Sequence, residues 1–167
     1  MANVHGHKSP IELRADHETR HAILAVYFGL GIDTLWLVVS GCSKGRLILK
    51  QVTDAERAKT MLQRVAVAYA GVLGRPRYEP RIRYICDICW ANKALNDFFP
   101  TDKKIKKQEC VRMACEALQR PEVQSAFAKT APLVKRAIET DCTTVDGTKL
   151  EAYITAAFND FFVGQAG

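Results

Sequence analysis

Four of the chain's six cysteines fall between Tyr84 and Cys115. They form a tight pair, Cys86 and Cys89, and a looser pair, Cys110 and Cys115. A Cys-x2-Cys pair suits a turn that places two thiolates on one zinc ion at about 2.3 Å, and a second pair completes a tetrahedral site. Between the pairs, Asn96-Asp97 offers a turn, Phe98 and Phe99 offer apolar cover, and the lysines after Asp102 face solvent. The site requires Cys110 to precede a helix and Cys115 to fall in its first turn or two. On one continuous helix, positions five apart diverge by about 140°. In that case Cys115 reads as a core residue, because a reduced cysteine packs as a small hydrophobe. A redox dithiol at Cys86 and Cys89 lacks the βαβ setting expected of one.

A second constellation is His17-Glu18-Thr19-Arg20-His21. It matches H-E-x-x-H, in which two histidines one helical turn apart bind zinc and the glutamate acts as base. Arg20 places a charge where such helices are usually apolar, and no third ligand is evident downstream. The competing reading is the polar face of an amphipathic helix. The sequence therefore favours the cysteines as the metal site: Cys86, Cys89, Cys110 and Cys115, with zinc as the ion.

The elements that must position these groups are marked by helix starts. Ser9-Pro10-Ile11-Glu12, Thr53-Asp54-Ala55-Glu56 and Thr148-Lys149-Leu150-Glu151 each have the form of a capping box. The spacing predicts helices over about 10–29, 54–72, 108–119, 121–139 and 148–162. Residues 34–40 and 46–52 read as two strands of a hairpin joined by the GCSKG turn. The segment GRPRYEPRIRY reads as extended, because Pro76 and Pro80 disfavour helix. The fold class is α-rich α+β: one helical domain over 1–167, with a short β-hairpin and an irregular zinc-binding segment over 75–119.

The chain has 167 residues, of which 48% are apolar and 25% charged, as in an ordinary globular domain. Its net charge of +6 is concentrated. Residues 75–107 carry nine basic and four acidic groups, whereas residues 108–167 carry six and eight. A basic patch of that kind is the footprint of a phosphate-backbone binder. Arg75, Arg77, Arg81 and Arg83 present guanidinium forks suited to phosphate oxygens. Tyr78 and Tyr84 are interleaved for base stacking, and Lys103, Lys104, Lys106 and Lys107 add sequence-independent contacts. No apolar run is long enough for a membrane span, and the N-terminus lacks a secretory signal's apolar stretch. Cytoplasmic residence, or nuclear in a eukaryotic host, is the expectation, with thiols kept reduced.

The order of these parts resembles small treble-clef and related zinc fingers of phage and bacterial proteins. It is also similar to the cysteine-rich nucleic-acid-binding proteins of some plant RNA viruses. Those show an apolar helix, here MLQRVAVAYAGVLG, then an arginine-rich segment, a Cys-x2-Cys pair and a later cysteine pair. The resemblance covers about fifty residues. It implies zinc-dependent nucleic-acid binding and a regulatory or host-suppressing role. The expectation from the sequence is thus a non-enzymatic zinc protein contacting nucleic acid through residues 75–107. The helical remainder would form the core and an oligomer interface. The alternatives are an inhibitor or adaptor that docks the basic segment on an acidic protein surface, and an H-E-x-x-H metallopeptidase.

Overall fold

The computed structural model describes residues 8–37, 45–73 and 85–165, apart from the side chains of Ile85 and Cys86. The first helix, α1 (Pro10–Tyr27), opens on the expected capping box: Ser9 caps the Glu12 amide, and the Glu12 carboxylate returns to the Ser9 amide. Next come the strands β1 (Ile32–Trp36) and β2 (Arg46–Leu49), which pair antiparallel as predicted. A third strand, β3 (Thr144–Asp146), joins the other side of β1, giving the order β2-β1-β3. Three residues are too short a run to show an alternation in sequence, so the sequence pattern does not mark this strand.

The helix expected over 54–72 is two helices, α2 (Asp54–Lys59) and α3 (Met61–Ala70). The break is at Thr60, whose hydroxyl donates to the Glu56 carbonyl. A threonine that bonds its own helix backbone in this way bends the helix. α2 has no buried residue, whereas most of α3 is buried, so the two halves serve different surroundings.

The largest difference from expectation lies in the cysteine region. Residues 85–107 are not an irregular insertion: α4 (Ile85–Phe98) and α5 (Lys103–Gln119) fill most of them. Ala91, Ala94 and Leu95 are the buried positions of α4 among its described side chains, the i, i+3, i+4 spacing of a helix face. The supposed turn at Asn96-Asp97 is helical. The last two helices are α6 (Pro121–Glu139) and α7 (Gly147–Gln165). α7 starts one residue before the predicted box, and the Asp146 carboxylate accepts from the Lys149 amide.

α1 is the central element. It packs against α3, α5, α6, α7 and the sheet. Ala15, Ala22, Ile23, Leu24 and Ala25 supply its apolar contribution to the core. Among the described residues no helix is long and apolar enough to cross a membrane.

Candidate metal centre

Buried polar side chains are the informative exceptions in a core. Among the described residues they are Asp16, His17, Glu18, Thr19, His21 and Thr130, and all but the last lie on α1. His17, Glu18 and His21 are only 2%, 2% and 4% exposed. Burying a polar group without partners costs several kcal/mol, roughly 2–7 by transfer measurements. The partners therefore decide what these residues do.

His17 and His21 are four apart, so their rings lie on one face of α1. Their Nε2 atoms are 3.0 Å from each other. Asp87, in the first turn of α4, places its Oδ2 at 3.2 Å from His17 Nε2 and 3.5 Å from His21 Nε2. A zinc ion bound tetrahedrally at 2.0–2.1 Å separates its ligand atoms by about 3.3 Å. The three edges of 3.0, 3.2 and 3.5 Å bracket that length. Nitrogen, nitrogen and carboxylate oxygen are also a donor set that zinc accepts. The three residues can hold a metal ion.

The far side of each ring is fixed by the end of α3. His21 Nδ1 donates to the Val67 carbonyl at 2.7 Å. His17 carries a backbone hydrogen bond to Gly71, four residues on. Thus α1 and α3 run antiparallel with one histidine answering each carbonyl-bearing turn. The carbonyls of a helix's last turn lack intrahelical partners, which is why these can serve the rings. An Nδ1 proton committed to a carbonyl leaves the Nε2 lone pair facing the cluster, the tautomer that metal binding needs. The negative end of the α3 dipole favours a cation at the same place.

Gly71 makes this approach possible. A Cβ there would lie 2.3 Å from His17 Cε1, 2.5 Å from His17 Nδ1 and 2.4 Å from His21 Nε2. Gly71→Ala is expected to destabilise the protein by roughly 1–3 kcal/mol, as overpacking does, and to lower its metal content. Denaturant unfolding and elemental analysis of the variant check both.

The electrostatics follow from burial and crowding. Burial pushes the His17 pKa down to about 4, and the neighbouring His21 adds to this against the pull of Asp87. Burial also disfavours the charged form of His21. Its hydrogen bond to Asp87 and the nearby Glu18 outweigh that and raise its pKa. Burial acts to raise the Asp87 carboxyl, but the two histidines hold it well below the usual carboxylate range. Burial pushes the Glu18 carboxyl up to about 7, opposed by His21 and Arg14. Glu18 Oε2 has no hydrogen-bond partner among the described residues. Its other oxygen lies against Gly45, where a Cβ would come within 2.0 Å.

A cleft of about 440 Å³ opens beside the cluster, lined by His21, Asp87, β2, Val67, Ala68, Arg64 and Trp90. Arg20, the charge inside the H-E-x-x-H motif, is turned towards α6. Its guanidinium is 5.5 Å from the centre of the Phe127 ring and 3.9 Å from Asp16.

The cysteines expected to bind zinc are not brought together among the described residues. Cys110 and Cys115 both lie inside α5, so the helix points them apart. Cys110 is fully buried, and its thiol donates to the Leu62 carbonyl at 3.4 Å. Burial pushes its pKa up to about 11, as for a reduced thiol packed in a core. Cys89 is exposed on α4, which makes the pair with Cys86 a helical one and not a knuckle. The Cys86 side chain lies outside the described residues, as do Arg75, Arg77, Tyr78, Arg81, Arg83 and Tyr84. Lys103, Lys104, Lys106 and Lys107 occupy the opening turns of α5. Two of them are engaged: Lys106 with Glu109 at 2.9 Å, and Lys107 over the Tyr69 ring at 5.9 Å. The chain matches no protein-family model, no curated protein and no solved structure.

Proposed function

We propose that this protein is a zinc-dependent hydrolase of the H-E-x-x-H type, with His17, His21 and Asp87 as ligands and Glu18 as general base. One observation carries the reading: Asp87 arrives from a separate helix to face both Nε2 atoms at 3.2 and 3.5 Å. Two ring nitrogens with lone pairs and a carboxylate repel one another unless a cation or a proton lies between them. A divalent ion held there would supply Lewis acidity to a substrate carbonyl.

The chain's own groups supply the rest. Glu18 follows His17 directly, and its pKa of about 7 is matched to moving protons near neutrality. Its Oε2, without a hydrogen-bond partner among the described residues, would accept a proton from the attacking water and return it to the leaving group. The buried rings and their backbone anchors keep the ligands from reorganising, and the cleft admits the substrate beside them.

The test is elemental analysis of the purified protein, followed by hydrolysis of a mixture of internally quenched peptides. About one zinc per chain and hydrolysis that chelator abolishes and zinc restores are expected. Protein that carries no zinc even after incubation with it, and cleaves nothing, would overturn the reading.

A second reading keeps one observation. Lys103 and Lys104 open α5, have no ion pair among the described residues, and oppose the helix dipole there. A polyanion laid across that end relieves the opposition, so nucleic acid remains a candidate partner of this surface. Retention on a nucleic-acid column that falls steeply with salt, and falls further in Lys103→Glu/Lys104→Glu, is its mark.

A further inference from the structure

We propose that the cleft binds an extended acidic peptide along the edge of β2 that is unpaired among the described residues, with an aspartate or glutamate side chain held by the arginines that line it, Arg64 and Arg46. The inference names the substrate class of the proposed hydrolase, and rests on that reading for the chemistry but not for the binding.

The edge comes first. In the order β2-β1-β3 only one side of β2 is paired among the described residues. Arg46–Leu49 line the cleft together with His21 and Asp87. Apart from the pairing with β1, these four residues make no backbone–backbone hydrogen bond among the described residues. An unpaired strand edge is a template for another extended chain, whose main-chain groups complete the ladder. At about 3.3 Å per residue, β2 offers a ledge for roughly four residues, running past the metal cluster.

The charge comes second. Arg64 is on α3 one turn before Ala68, in the cleft wall. Its Nε donates to Thr60 Oγ1 at 3.0 Å, which fixes the guanidinium and leaves its outer fork without a carboxylate among the described residues. Arg46 has no ion pair there either. The cleft continues past Arg64, Leu49 and Trp90 into a second one of about 380 Å³, which Arg57 also lines. The acidic groups that line the two clefts are already committed: Asp87 to the histidines, and Asp97 to Lys93 at 2.7 Å. Arg64 is half-buried, with Arg57 close enough to disfavour its charge and no carboxylate partner of its own among the described residues, a cost that a carboxylate ligand offsets. A guanidinium fork suits that carboxylate in particular. Trp90, 44% exposed on the opposite wall, provides an apolar face for the peptide's other side chains.

The experiment uses the full chain and two fluorescein-labelled heptapeptides, Ala-Val-Glu-Val-Glu-Val-Ala and its twin with glutamine at both glutamates. Fluorescence anisotropy at low salt is expected to show the glutamate peptide binding at least about tenfold tighter. In Arg64→Gln the preference should shrink to about twofold or less, with the circular-dichroism spectrum of the folded protein unchanged. It should persist in chelator-treated protein, because the arginines and not the metal cluster produce it. Equal binding of the two peptides, binding of neither, or a preference that survives Arg64→Gln combined with Arg46→Gln would overturn the inference. Displacement of the glutamate peptide by inorganic phosphate below millimolar concentration would overturn it too, by assigning the arginines to phosphate. A clear glutamate preference in a protein that holds no zinc and cleaves nothing would remove the hydrolase reading alone.

Discussion

Zinc added to chelator-stripped protein is expected to raise its unfolding midpoint by about 5–10 °C, and Asp87→Asn to remove most of that rise. A ligand that binds only the folded state at a hundred times its dissociation constant stabilises by about 2.7 kcal/mol. In a chain of this size each kcal/mol moves the midpoint by roughly 2–4 °C. Asparagine keeps the shape of Asp87 but loses the charge that faces His17 and His21. Cys86→Ser/Cys89→Ser is the paired control and should leave the zinc-induced rise intact. The opposite pattern, loss in the serine variant and retention in Asp87→Asn, would return the metal to the cysteines. The pH dependence has a definite sign. His21 has a raised pKa and must give up its proton to bind metal. The zinc-induced rise therefore grows as pH increases through neutrality. Above pH 6.5 the metal-free protein behaves oppositely, because the raised folded pKa of His21 gives stability below its unfolded pKa that is lost as pH increases, while below 6.5 the depressed pKa of His17 works against this trend. Differential scanning fluorimetry across pH 5.5–8.5, with and without zinc, separates the two trends.

What the sequence made legible was local. The capping boxes at Ser9 and Thr53, the hairpin and the long C-terminal helices all depend on residues within a few positions of one another. The two histidine ligands were legible in the same way, since one helical turn puts His17 and His21 on one face. Asp87 was not, because nothing in a sequence states that the first turn of α4 will face the middle of α1. That proximity is made by α3, which packs on both helices. Two signals were present and outweighed. Ala91, Ala94 and Leu95 have helical spacing, but prolines at 76 and 80 and the Cys-x2-Cys pair suggested an extended knuckle. Asp16, His17, Glu18, Thr19 and His21 crowd polar groups into the middle of a strongly capped helix. Such a helix must either face water or enclose a site, and composition alone does not choose between them. Burial chooses, and it places them inside.

Glu18→Gln separates the two roles a buried glutamate can have. As a base, its loss should lower peptide hydrolysis by about 10²–10⁴-fold while leaving zinc content unchanged, since it is not among the three ligands. As a buried carboxyl, its removal should also stabilise the metal-free protein at alkaline pH. Its pKa is raised from 4.5 to about 7 by burial, so below pH 4.5 it is protonated in both folded and unfolded chains and makes no difference. As pH rises through 7 the unfolded chain has long been ionised, and the folded state bears the desolvation of the charge. At about 1.4 kcal/mol per pH unit, the penalty reaches on the order of 3 kcal/mol, which glutamine removes. Chemical denaturation at pH 5 and pH 8.5 should therefore show the variant close to wild type at the first and clearly more stable at the second. A group retained only for packing would predict a neutral or destabilising change at both. The expected combination is lost turnover with a gain in stability. It is the signature of a residue whose burial is kept for chemistry, because folding alone is better served by the amide.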